Sequence, residues 1–342
     1  MRSMMTDEME GKHVLLVAPR FFGYEGEILD ELRRRGAIVD FLPDRPFNSP
    51  AMKALTRLRR EWIFPVTDKF FLNSIEKFDR GNYDLIFVVV GESLSVSVLS
   101  SLRSSFPRAR FVFYMWDAMR NRRKLEQNLS LFDACHTFDP DDSSEFGMKF
   151  RPLFFSPGFE HEYDPEFQYH LSFVGTAHSD RHKIVSEITT LLPTGIRYYW
   201  YLYLQARWVF FAHKFGNPEF RKARISDFRF SPLSKTELHR IFFSSLAVLD
   251  IEHPRQTGLT MRTFETMGAN KKLVTTNKNV RNYDFFDDRN ILVVDRKNIQ
   301  SIPTDFLENP YAPLDVATYR KYSISGWLDD ILTPALGKYA ER

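Results

Sequence analysis

One stretch of this chain leaves little freedom in how it can fold. Residues 246–276 read LAVLDIEHPRQTGLTMRTFETMGANKKLVTT. Ala247-Val248-Leu249-Asp250-Ile251 is a short, nearly continuous apolar run, as expected of a strand covered on both faces. Glu252 to Gly258 is rich in turn formers. Met261, Phe264 and Met267 then recur at the spacing of a helix laying one face on a sheet. Gly268, Ala269 and Asn270 supply small or left-handed-tolerant residues where that helix should stop, and Leu273-Val274 opens the next strand. Strand, loop, helix, strand with both strands buried predicts a parallel βαβ unit. The same kind of run returns at 13–18, 83–90, 110–116, 133–138, 169–174 and 290–295. At 13–41 it is followed by a helical segment with Ile28, Leu29 and Leu32 inward and by a second strand, the opening of a Rossmann-like domain.

At 342 residues the chain is too long for one ordinary core and suits two domains of about 150 residues each. Arg151-Pro152 to Gly158-Phe159 is rich in Pro and Gly at mid-chain, which predicts a first domain over 1–157, a second over 158–318, and a helical tail over 319–342. With 27% charged residues and a net charge of +3 there is no global pull towards nucleic acid. The single cysteine, Cys135, excludes an internal disulfide and a Cys-based zinc site and fits a reducing compartment. The polar, acidic start MRSMMTDEMEGK does not read as a signal peptide. No run reaches the ~20 apolar residues of a bilayer span, so the expected location is the cytoplasm. P-loop, H-E-x-x-H, G-x-S-x-G and spaced-glycine dinucleotide motifs are missing. Asp139-Pro140-Asp141 has the outline of a D-x-D metal motif, but carboxylates just before a helix are ordinary N-caps, and no metal site is expected.

A glycine-containing loop that feeds a helix N-terminus is a ready anion site. Here that loop carries Gly258, and the helix carries Arg262 and Glu265 one turn apart. The pair is open to two readings: an i,i+3 surface ion pair, or a phosphate grip and a sugar-diol acceptor. Carboxyl ends of parallel strands are where open α/β sheets bind ligands, and Glu92 and Asp117 fall there. Asp117 can equally cap the helix that follows. Residues 43–80 read as helical and basic, with Lys53, Arg57, Arg59 and Arg60 beside Trp62 and Phe64. The aromatic, basic segment at 197–224, RYYWYLYLQARWVFFAHKFGNPEFRKAR, has three readings. It could be an aromatic helix packed in or between domains, an interfacial segment on an anionic leaflet, or a stacking platform for nucleic acid. They rank in that order, and nucleic acid is not an expected partner.

TMRTFETMGANKKLVTTN (260–277) resembles the nucleotide-sugar signature in the C-terminal domain of GT-B glycosyltransferases, in particular the spore-maturation and capsule-type branch. This implies an α/β protein of two Rossmann-like domains facing a cleft, with 197–224 an insertion in the second. The implied activity is metal-independent sugar transfer from a nucleotide sugar to a glycan or lipid-linked acceptor in capsule or lipopolysaccharide synthesis. That work would place the chain at the inner face of the membrane. No cofactor is implied, since the nucleotide sugar is a substrate. The resemblance puts Glu265 on the donor ribose and makes Gly175, Arg181, Gly258, Thr260, Arg262 and Glu265 the donor site. Acceptor chemistry would fall to the first domain, with Asp117, Glu25 and Glu92 as candidate bases and the tail crossing back to that domain. Thr257 stands where many retaining members carry a second Glu. A sugar-nucleotide epimerase of the same architecture and a non-catalytic binding or scaffold protein are the alternatives.

Overall fold

The computed structural model describes residues 9–47, 60–77, 83–122 and 124–336; Lys53, Arg57 and Arg59 of the basic stretch lie outside them. The chain divides into two compact units, Met1–Leu153 with Ile324–Arg342, and Phe154–Ser323.

The first unit is built on six strands: β1 (His13–Ala18), β2 (Ile38–Pro43), β3 (Leu85–Val89), β4 (Arg110–Met115), β5 (Ala134–Thr137) and β6 (Lys149–Phe150). They form one parallel sheet in the order β2-β1-β3-β4-β5-β6. β3 is wholly buried, which is why its sequence is an unbroken apolar run. Among the described residues, α1 (Tyr24–Arg34), α2 (Phe64–Ile75), α3 (Val96–Ser105) and α4 (Pro140–Phe146) follow the strands. α4 begins at Asp139, whose carboxylate accepts from the Asp141 amide at 2.9 Å; the D-P-D triplet is a helix cap.

The second unit repeats the plan with β7 (Tyr169–Thr176), β8 (Tyr198–Tyr203), β9 (Phe228–Arg229), β10 (Ser245–Asp250), β11 (Lys272–Thr275) and β12 (Ile291–Val293). Its sheet is also parallel, in the order β12-β11-β10-β7-β8-β9. The helices are α5 (Arg181–Leu191), α6 (Arg207–Gly216), α7 (Lys235–Phe243), α8 (Met261–Gly268), α9 (Thr304–Glu308) and α10 (Val316–Lys321). α7 opens on a reciprocal Ser234–Glu237 capping box. In both sheets the strand that starts the unit sits inside it, so the chain builds outwards in one direction and then in the other. That reversal leaves a crevice beyond the carboxyl ends, between β1 and β3 in one unit and β7 and β10 in the other.

The segment 197–224 is neither one aromatic helix nor an insertion. Tyr198–Tyr203 is β8, paired along its length with β7, and only Arg207–Gly216 is helical. Aromatic residues suit a pleated, half-buried surface. Trp200, Leu202, Val209 and Phe210 join the unit's core, and the indole N–H of Trp200 is satisfied by Thr189 Oγ1 at 2.9 Å.

The last helix, α11 (Ile324–Leu336), belongs to the first unit. Trp327 is buried against Tyr114 and Phe87, with ring centroids at 4.8 and 5.9 Å. Among the described residues no helix is long and apolar enough to cross a membrane.

Candidate functional site

Beyond the carboxyl ends of β7 and β10, five basic side chains gather around buried carboxylates. β10 ends at Asp250, which is buried. Its carboxylate accepts from the hydroxyl of Thr263 at 2.8 Å and lies 2.8 and 2.9 Å from that of Thr260. Thr260 is the N-cap of α8, accepting from the Arg262 amide at 3.1 Å. One carboxylate and two hydroxyls therefore pin the first turn of α8 to the end of the strand. The partial positive charge of that helix start is held at this edge of the sheet.

Arg262 donates to Glu265 Oε2 at 2.8 Å and to the Val174 carbonyl of β7 at 3.0 Å, with its guanidinium 4.8 Å from the centre of the Phe242 ring. The ion pair foreseen by spacing is present, but Glu265 is buried, so this is no solvated surface pair. Arg181, at the start of α5, crosses the switch point. Its Nε donates to Ile251 O at 2.8 Å and its Nη1 to Thr176 O at 3.1 Å. Burial is the main cause that lowers its pKa to about 10; Arg262 and Arg296 add to this and Asp250 and Glu252 oppose it. Gly175 is small for a local reason, since a Cβ there would stand 2.9 Å from the Phe173 ring and 3.3 Å from Arg181 Nη1. The space above it serves the arginine.

Gly258 is buried in the β10–α8 loop. Its carbonyl accepts from Gln256 Nε2 at 2.9 Å and Asn277 Nδ2 at 3.3 Å, while the Thr257 carbonyl accepts from Asn279 Nδ2 at 3.0 Å. The loop is thus braced from the segment after β11.

Arg296, Glu252, His178 and His253 escaped sequence reasoning. Arg296, just past β12, donates to Glu252 Oε1 at 2.7 Å and pairs with Asp180 at 3.1 Å. Glu252 also accepts from the Thr276 hydroxyl, and burial raises its pKa despite these partners. His178 and His253 come together with ring centroids 5.8 Å apart. Burial, then the charges of Arg181, His253, Arg296 and His213, push the His178 pKa down to about 3, so its ring is neutral at physiological pH. The signal available in sequence was position alone: all four follow the carboxyl end of a strand.

In the first unit, Glu92 and Asp117 are joined through Arg122, which sequence reasoning passed over. Arg122 donates to Glu92 Oε1 at 2.8 Å and to Asp117 Oδ2 at 2.7 Å. Burial lowers the Arg122 pKa, but Glu92, Asp117 and Asp44 outweigh that and hold it above its ordinary value. Glu92 is buried and also meets Arg45 at 3.1 Å. Asp44 is fully buried beside it, and burial raises its pKa to about 6. Asp117 is more open; its Oδ1 accepts from the Ala118 amide and from Asn121 Nδ2, both at 2.9 Å. It therefore caps the turn that follows, and one oxygen is aligned by Arg122. Glu25 accepts from the Phe21 amide at 3.0 Å, and the Phe21 ring lies 6.0 Å from Trp116, which brings the β1–α1 loop next to Asp117. β3 is followed directly by Val90 and Gly91, both at positive φ (67° and 64°). Val90 is β-branched, so this is a strained backbone conformation at the same edge. Among the described residues no three His, Cys, Asp or Glu side chains form a metal-holding group.

No family model matches the chain, and no curated protein matches it. Solved structures do. A glycosyltransferase from Rickettsia africae ESF-5 superposes with a TM-score of 0.59 at 11% identity, covering 97% of this chain and 99% of that one. The lipopolysaccharide outer core galactosyltransferase WaaB gives 0.51 at 10% identity, covering 95% and 99%. HepE of Anabaena, solved in complex with UDP and glucose, gives 0.51 at 10% identity, covering 97% and 95%. With two parallel six-stranded sheets in the orders above, the chain has the GT-B glycosyltransferase fold of two Rossmann-like domains.

Proposed function

We propose that the protein transfers a sugar from a nucleotide-sugar donor to an acceptor hydroxyl. The observation that carries this reading is the basic cluster at the β7/β10 switch point, with Arg181, Arg262 and Arg296 held by buried carboxylates and carbonyls beside the α8 N-terminus. In such a reaction the bond between the anomeric carbon and the diphosphate breaks, and negative charge develops on the leaving group. Donors fixed in advance around that charge lower the barrier, because they need no reorganisation as it forms. Arg181 and Arg262 take the diphosphate in this reading. Glu265 accepts from the ribose hydroxyls, and Gly175, Gly258 and Thr260 shape the backbone that meets the donor. This neutralisation uses side chains and amides and calls for no metal ion.

Asp117 is the proposed general base of an inverting reaction, in which it must reach the acceptor hydroxyl directly. Its pairing with Arg122 aims one oxygen. Glu92, buried behind Arg122, acts as a positioning residue in this scheme, and Glu25 orients the β1–α1 loop next to it. The acceptor class is a glycan or lipid-linked sugar of surface polysaccharide assembly, capsule or lipopolysaccharide. The WaaB likeness and the resemblance of residues 260–277 to capsule-type enzymes support that choice. The protein works from the cytoplasm at the inner face of the membrane.

The test is a thermal-shift panel of UDP-, GDP-, ADP- and CDP-sugars, followed by product analysis with a lipid-linked acceptor. One donor family should stabilise the protein, by about 2.7 kcal/mol at 100 times its Kd, and its sugar should appear on the acceptor. Stabilisation by no nucleotide sugar would overturn the donor assignment, and isomerisation of the donor with no transfer would overturn the reaction.

A further inference from the structure

Helix α6 shows solvent the wrong side chains for a helix that merely closes a sheet. At 100° per residue, Trp208, Phe211 and Phe215 share one face, and they are 71%, 50% and 88% exposed. Phe210, on the opposite face, is 3% exposed; its ring lies 5.4 Å from that of Phe228 in the core. The helix has met its packing requirement with one side and carries three large rings on the other. A soluble surface spreads exposed apolar residues singly, and a contiguous patch marks a contact.

We infer that this outward face of α6 docks on an anionic lipid bilayer. Charge selects that partner. From Arg207 to Arg224 the sequence holds Arg207, Lys214, Arg221, Lys222 and Arg224 against the single acid Glu219. Arg207, Arg221, Lys222 and Arg224 are exposed. Lys214 lies along the helix flank, donating to Ala223 O at 2.8 Å with its ammonium 5.5 Å from the centre of the Phe210 ring. Rings flanked by cations match an interface where aromatic side chains settle at headgroup depth and basic groups meet lipid phosphates. A second copy of the chain fits less well. A two-fold contact would set this basic flank against itself. The three rings offer roughly 400–500 Å² of apolar surface, short of the ~800 Å² per partner of a stable interface.

The face is also tied to the candidate site. Asn217, directly after α6, donates to Ser179 O at 3.2 Å, in the loop that carries His178. Docking would therefore hold the β7–α5 loop close to the lipid surface, where a lipid-linked acceptor is found. The docking inference does not depend on the transfer reading, and its test uses neither donor nor acceptor.

Flotation of the full chain should be measured with vesicles of phosphatidylcholine alone and with about 30% phosphatidylglycerol. Wild type should float with the anionic vesicles, poorly with neutral ones, and less as salt rises. Trp208→Ser/Phe211→Ser/Phe215→Ser should lose affinity by roughly tenfold or more. Arg221→Gln with Lys222→Gln should lower binding to the anionic vesicles alone. If the triple variant does not fold, Phe215→Ser alone and quenching of Trp208 fluorescence by brominated lipid read the same contact. Wild type that fails to float would overturn the inference, as would a folded triple variant that floats equally well. It would be overturned too if the triple variant lost self-association or RNA retention while keeping vesicle binding.

Discussion

Glu265 and Arg262 make one unit, and that is the difficulty in assigning either of them a role. A Gln at position 265 keeps the shape and removes the charge that holds Arg262 2.8 Å away. Loss of a hydrogen bond to a charged group costs about 1.5–3 kcal/mol, so nucleotide affinity should fall roughly ten- to a hundredfold. A double-mutant cycle with Arg262→Gln separates two causes of that fall. If Glu265 accepts directly from the ribose, the Gln penalty persists when Arg262 is already gone, and that is the expected result. A penalty that disappears in the Arg262→Gln background would make Glu265 a positioning residue. The spacing that made this pair visible in sequence could not say whether it was solvated, because an i,i+3 pair looks the same on either face of a helix. Burial decides it, and burial comes from the sheet beneath.

Helix α8 was the most legible element because its information is local. Its cap, its apolar spacing and its stop all lie within Thr260–Asn270, and Asn270 does adopt positive φ (51°). What holds it in place is not local. Asp250, ten and thirteen residues upstream of Thr260 and Thr263, accepts from Thr263 at 2.8 Å and lies within hydrogen-bonding distance of the Thr260 hydroxyl. Thr263→Val keeps the side-chain shape and deletes one donor to a buried carboxylate. It should lower the stability of the second unit by roughly 1.5–3 kcal/mol, read as a shift of the urea midpoint without a change of slope. An unchanged midpoint would mean the Asp250 anchor contributes nothing. β8 was misread for the complementary reason. YYWYLY has no polar alternation to mark a half-buried strand, and its pairing partner β7 lies more than twenty residues away. Arg296 was missed for the same kind of reason, since the Glu252 it serves is far upstream in sequence.

For the whole molecule, the last helix decides whether the first unit can stand. The apolar spacing Ile324, Trp327, Leu328, Ile331, Leu332 is plain in the sequence. The residues alone do not name the surface it covers, and the return to the first domain is an expectation drawn from the family resemblance. In the fold all five of these side chains are buried. Polar contacts fix the register: Arg35 donates to Asp329 at 2.6 Å and to the Ser325 carbonyl at 2.6 Å, and Arg151 pairs with Asp330 at 2.8 Å. Each large apolar side chain buried contributes about 1.5–3 kcal/mol, so the five together contribute roughly 8–15 kcal/mol. That is comparable to the ~5–15 kcal/mol by which a whole domain is stable. A chain stopped after Ser323 would also leave Arg35 and Arg151 without those partners. The first unit should then lose its cooperative transition, while the second, Phe154–Ser323, keeps its own core. Hydrogen exchange resolved by segment checks both halves of this statement. The amides of β3 and β4 should lose protection in the truncated chain while those of β7 and β10 retain it. Trp327→Ala should give a milder version, with a loss of about 3–5 kcal/mol and protection in β3 and β4 reduced but present. Full protection of β3 and β4 in the truncated chain would mean that residues 9–153 close their core unaided, and that α11 is an accessory to the first unit instead of part of it.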